Sequence, residues 1–176
     1  MIPDLKRICS EYIVSHVNAR NVCRLVDYAS ISDGGHVHEA VVSILENNAV
    51  AVVSSDSFID ALQSTIEYVL MNIRGVPESC VARGLHEWAR AQVIKSLTLY
   101  KEDDDQRTSP LPDMKTILTP FLPHVRFLAM TPREFVLGPV TWNIFEGRDD
   151  FAILCNLVSP ESVPLPGWVC KLSSER

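Results

Sequence analysis

With 176 residues, 47% of them hydrophobic and 7 of them glycine, the chain has enough apolar side chains for one packed domain, which at this length removes roughly 70% of its unfolded surface from water. A net charge of −6 gives no electrostatic footprint for nucleic acid or anionic lipid, no apolar run approaches the roughly 18 residues of a membrane-spanning helix, and residues 1–12 lack the apolar core and cleavage pattern of a signal peptide. A dedicated nucleic-acid binder and a helical membrane protein are therefore excluded, and a soluble, cytoplasmic protein is expected.

The five cysteines, Cys9, Cys23, Cys80, Cys155 and Cys170, are odd in number, scattered and without a CxxC pair, so no disulfide framework is expected. Cys9, Cys23, Cys80 and Cys155 all sit in apolar patterns and read as core or near-core. In chain order, Pro3-Asp4 opens a helical pattern with Leu5, Ile8, Cys9, Tyr12, Ile13 and His16 on one stripe. Asn18 or Asn21 caps a second helix carrying Val22, Leu25, Val26 and Ala29, which should fail at Ser32-Asp33-Gly34-Gly35. Val37, Ala40, Val41, Ile44 and Leu45 continue the period to Asn47-Asn48, after which residues 49–53, AVAVV, either extend the helix or make a short buried turn.

Ser55 or Asp56 caps the next helix, with Phe58, Ile59, Leu62, Ile66, Val69, Leu70 and Ile73 as its buried face and an end near Gly75. Residues 76–93 form the best-marked helix of the chain. Pro77 is tolerated in a first turn, Glu78 suits the partial positive charge of a helix N-terminus, and Val81, Leu85, Trp88, Ala89 and Val93 recur at steps of three and four. Trp88 is the expected core anchor. Short connections between these amphipathic helices favour antiparallel neighbours, so the fold class expected is all-α, stacked antiparallel helical hairpins.

The pattern stops over residues 101–112, where the acidic run Glu102 to Asp105 and Ser109, Pro110 and Pro112 spell a solvated loop. The run lacks the alternating ligands, glycine turn and distal glutamate of a calcium loop. A helix resumes with Met114, Ile117, Leu118, Phe121 and Leu122 and is limited by Pro123. Thr131-Pro132-Arg133-Glu134 has the form of a capping box, and the short helix it starts should stop by Gly138-Pro139. A last helix carries Phe151, Ile153, Leu154, Leu157 and Val158 and ends at Ser159-Pro160. Pro160, Pro164, Pro166 and Gly167 then predict an extended tail with Trp168 as an exposed or partner-seeking aromatic.

Taken in order, Cys9-x-x-Tyr12-Ile13, Asn21-Val22-Cys23 with Tyr28-Ala29, Ile44 with Asn47-Asn48, Phe58 and Leu62, and Pro77-Glu78 through Trp88 resemble the BACK (BTB/Kelch-associated) domain. That is the helical segment following the BTB domain in BTB and BACK proteins, and the resemblance spans roughly residues 5–160. Val125-Arg126-Phe127, Met130-Thr131-Pro132-x-Glu134-Phe135 and the last helix look closer to BTB and BACK proteins that lack kelch repeats. Met-Ile-Pro-Asp-Leu at residues 1–5 is similar to the end of a BTB domain, which implies that Met1 is an internal methionine of a longer gene. The resulting division is residues 1–15 as a BTB remnant and first 3-box helix, 5–160 as the BACK-like domain and 161–176 as a proline-rich tail leading to a further domain.

The resemblance implies a non-enzymatic interaction and scaffold segment of a substrate adaptor for a cullin-3 RING ubiquitin ligase. By that resemblance the 3-box candidates are Cys9, Tyr12, Ile13, Val22, Cys23 and Leu25, most of them packing residues whose exposed edges touch the partner. Cullin-3 binding should be weak without the BTB domain, the protein substrate would be read by domains outside this chain, and no cofactor, nucleic acid or membrane is expected. The rival reading is a small helical metal-dependent or cysteine hydrolase, served by His36, His38, Cys80, His86 and the acidic loop. His36 and His38, two residues apart at a helix start, point in different directions, and Cys80 and His86 lie nearly two turns apart.

Overall fold

The computed structural model describes residues 2–31, 35–102 and 113–172. The turn residues Ser32, Asp33 and Gly34, and the loop residues Asp103 to Asp105, Ser109, Pro110 and Pro112, lie outside the described residues, as do the side chains of Tyr28 and Ala29. The fold is all-α, with no strand among the described residues. It divides into two compact units, residues 1–76 and 77–175.

The first unit contains α1 (Ile2–His16), α2 (Val22–Ile31), α3 (Gly35–Asn47), α4 (Ala49–Val53), α5 (Asp56–Ile59) and α6 (Gln63–Asn72). The α1–α2 connection is tied by its asparagines. Asn18 N–H donates to Asn21 Oδ1 at 2.8 Å, and Arg20 N–H donates to Asn18 Oδ1 at 2.9 Å. Helix α2 packs against α3, α5 and α6, and α3 also contacts α1 and α4. Val22, Val26, Val37, Val41, Leu45, Phe58, Ile66 and Leu70 fill the core.

Residues 49–53 become a separate five-residue helix that buries Ala49, Val52 and Val53. Ser55 is the cap of α5, its Oγ accepting the Phe58 N–H at 3.2 Å. The single helix expected from Phe58 to Ile73 is instead two, α5 and α6, interrupted at residues 60–62. Both pieces turn their apolar residues inward, Ser57 and Phe58 from one and Ile66, Val69 and Leu70 from the other, so the hydrophobic period runs through a break it cannot register. The interruption leaves Leu62 exposed rather than on the buried face. After Ile73 the chain turns at Gly75, whose φ of +62° favours glycine.

The second unit contains α7 (Glu78–Glu102), α8 (Met114–Leu118), α9 (Pro132–Leu137) and α10 (Asp149–Val158), with 3-10 helices at Thr119–His124, Phe127–Ala129 and Pro139–Trp142. Helix α7 buries Val81, Ala82, Leu85, Trp88 and Ala89, and Trp88 meets Phe121 edge to face at 5.1 Å. It runs nine residues past the expected end at Val93. The helix expected through Leu122 leaves α geometry at Thr119, because Pro120 has no N–H and its ring crowds the carbonyl one turn earlier. The capping box at Thr131 is complete, and α9 ends at Gly138.

The segment after α10 is not a free extended tail. Asn156 Nδ2 donates to the Val163 carbonyl at 2.9 Å, Val169 is buried, and Trp168 Nε1–H donates to Asp149 Oδ2 at 3.1 Å. Trp168 is half-buried against Phe127 and Phe145, with ring centroids 6.0 and 6.2 Å away. The aromatic expected to seek a partner therefore finds it inside this unit, since a large apolar ring with one polar edge is satisfied by an aromatic cluster and a nearby carboxylate.

Candidate interaction surface

Helix α1 contacts α3, and the half-buried Ser10 and Ile13 of the helix and Val17 just after it recur at steps of three and four. That spacing marks the side turned toward the unit. Apart from Ile13, the expected apolar stripe is on another side of the helix: Leu5 is 62% exposed, Ile8 54% and Tyr12 63%, and Cys9 is exposed as well. Cys9 is thus neither core nor near-core. A sequence stripe reports that a helix has an apolar face but not that anything covers it, and in α1 most of that face is left uncovered.

Tyr12 is held in place on this surface. Its ring stacks on His16 at 4.0 Å, and His16 Nδ1 lies 2.8 Å from the Tyr12 carbonyl oxygen. Leu5, Ile8, Cys9 and Tyr12 then form a stripe about 10 Å long, at 1.5 Å rise per residue. Along another flank, Lys6, Ser10 and Val14 of α1 and His36 and Ala40 of α3 line a groove of about 810 Å³. Arg7 and Glu11 are paired there at 2.7 Å.

The six 3-box candidates divide by burial. Cys9 and Tyr12 are exposed, Ile13 and Leu25 are half-buried, and Val22 and Cys23 are core, 0% and 3% exposed. Burial pushes the Cys23 thiol up to about 11, against the opposing effect of its hydrogen bond with Ser57. It is a packed hydrophobe with no thiolate character at neutral pH. Leu5 and Ile8 belong to the exposed surface although they were not among the six; they share the stripe of Tyr12, which was the available signal. Trp88 is 3% exposed and sits in the core of the second unit.

The described residues of the hydrolase reading have separate neighbours within their own units. His36 is 3.6 Å from Glu39, whereas His38 Nδ1 is 3.3 Å from the Tyr68 hydroxyl. No group of three or more His, Cys, Asp or Glu side chains is placed to hold a metal ion among the described residues. Cys80 is half-buried and free. His86 stacks on Trp142 at 4.4 Å with its Nδ1 3.6 Å from Glu87. Burial against the indole lowers its pKa, with Glu87 opposing and Arg90 reinforcing the shift.

No helix among the described residues is long and apolar enough to cross a membrane. No protein-family model matches the chain, and no solved structure matches it.

Proposed function

We propose that this chain is an interaction and scaffold segment of a BTB and BACK type adaptor, working in the cytoplasm to position a protein substrate relative to a cullin-3 RING ubiquitin ligase. The observation that carries the reading is the uncovered α1 stripe of Leu5, Ile8, Cys9 and Tyr12, at the position where the BACK resemblance puts the 3-box. An apolar helical face with an exposed tyrosine is the surface that a partner helix buries with most gain. Helical hairpins stacked beyond it would act as a spacer, and ubiquitin transfer would be performed by other subunits. Neither nucleic acid nor membrane enters this role.

The test is co-purification with cullin-3 of this chain, of a version carrying a BTB domain ahead of residue 1, and of that version with Leu5→Asp and Tyr12→Asp. Weak or undetectable capture is expected for the chain alone, because a single short helical face falls below the roughly 1,000 Å² of a stable interface. Capture should appear with the BTB domain and fall at least about tenfold with the two aspartates. Failure of both unmutated forms to bind, or binding indifferent to the aspartates, rejects the proposal.

A further inference from the structure

The unit of residues 77–175 contains a cleft of about 500 Å³, formed by α7, α9 and the 3-10 turn that follows α9. Two arginines line it, Arg83 from α7 and Arg133 from α9. Neither has an acidic or hydrogen-bonding partner among the described residues. The two carboxylates of the cleft are already engaged. Glu134 accepts hydrogen bonds from Ser79 Oγ, Thr131 N–H and Thr131 Oγ1, each at 2.8 Å. Glu87 lies 3.9 Å from Arg90 and 3.6 Å from His86. The remaining wall is flat and apolar: Trp142, backed by the stacked His86 ring, with Leu137 and Pro139 beside it.

We infer that this cleft binds a peptide segment of a partner protein bearing a side-chain oxyanion, phosphoserine or glutamate, next to an apolar residue. Guanidinium forks are weakly hydrated and match carboxylate and phosphate oxygens in paired hydrogen bonds, so two exposed arginines with no partner among the described residues offer their donors to an acceptor in the cleft. A bare anion would fill a small part of the volume, and the Trp142 wall offers its apolar neighbour a surface to cover. Nucleic acid fits less well, since it presents a long run of phosphates to a chain whose net charge is −6 and to a cleft whose two arginines stand beside two glutamates. The inference goes beyond the adaptor reading and uses no residue of α1, so either stands if the other fails.

The test uses the full chain on a peptide array with a central phosphoserine, glutamate or serine and randomised flanks, followed by fluorescence anisotropy on the best labelled peptides. Acidic centres are expected to bind at least about tenfold more tightly than serine, with apolar residues selected beside them. The double variant Arg83→Gln, Arg133→Gln should lose that preference while its circular dichroism stays unchanged. Arg90→Gln, an arginine that already faces Glu87, should retain it, and Trp142→Ala should flatten the selection of apolar flanks. Phosphoserine favoured over glutamate identifies a modification-dependent partner, and equal binding identifies a constitutively acidic one; both support the inference. It is overturned by equal binding of serine peptides, by a preference that survives in the double variant, or by a single-stranded oligonucleotide that outcompetes the best peptide.

Discussion

A carboxylate that is 1% exposed has to find donors inside the fold, and Glu78 accepts the Arg126 backbone N–H at 2.9 Å from the first turn of α7. The helix N-terminus favours its charge, and the bond clasps the start of α7 to the bend between two 3-10 helices. Glu78→Ala should cost about 2–3 kcal/mol in urea unfolding, because it removes a charged acceptor from a part-buried hydrogen bond, whereas Glu78→Gln keeps an acceptor and should cost about 1 kcal/mol. A loss below about 0.5 kcal/mol for the alanine variant would show that the clasp contributes nothing. His86 makes a second prediction. Its pKa is lowered in the fold by burial, so the unfolded chain, with a histidine pKa near about 6.5, takes up the proton first. Stability should therefore be full above about pH 6.5 and be lost as pH falls through the folded pKa. Comparing urea midpoints at neutral and mildly acidic pH tests this, and His86→Phe, which preserves the stack on Trp142, should reduce the acid loss.

Among elements, the start of α9 is fixed by three residues. Thr131 and Glu134 satisfy each other's backbone donors, and Ser79 of α7 adds a third bond to the same carboxylate. Thr131→Ala should cost about 1 kcal/mol in thermal or urea unfolding. Helix α1 gives the opposite expectation. Polar substitution of Leu5 or Tyr12 should change stability by no more than about 0.5 kcal/mol, the range of ordinary surface changes. Leu45→Ala, at a side chain with no exposure, should cost about 2–5 kcal/mol. Denaturation of the three variants side by side is decisive: a large loss at Leu5 would mean that the α1 stripe is covered in solution. The caps at Ser55 and Thr131 and the buried faces of α3, α6 and α7 were legible because each depends on residues within one or two turns of each other. The interruption between α5 and α6 was not, because it leaves the apolar period intact.

For the molecule as a whole, the division at residues 76 and 77 can be read optically. Trp88, Trp142 and Trp168 all belong to the unit of residues 77–175, so tryptophan fluorescence reports on that unit alone. Phe58, fully buried, belongs to the other. Phe58→Ala, a loss of about 3–5 kcal/mol, should lower the helical circular-dichroism midpoint more than the fluorescence midpoint. Coincident shifts would mean that the two units unfold as one cooperative body. The amino-acid order by itself determined that the chain is helical and where most helices start, since repeat spacing and caps act over a few residues. It also determined that Trp88 belongs in a core. Where coverage departs from the periodic pattern, the tertiary structure decided it: the α1 stripe stays in water, Trp168 turns inward, and Glu78 and Arg126, 48 residues apart, meet. The reason is physical. A periodic stripe records the geometry of one helix, whereas its burial depends on which distant residues compete for the same surface.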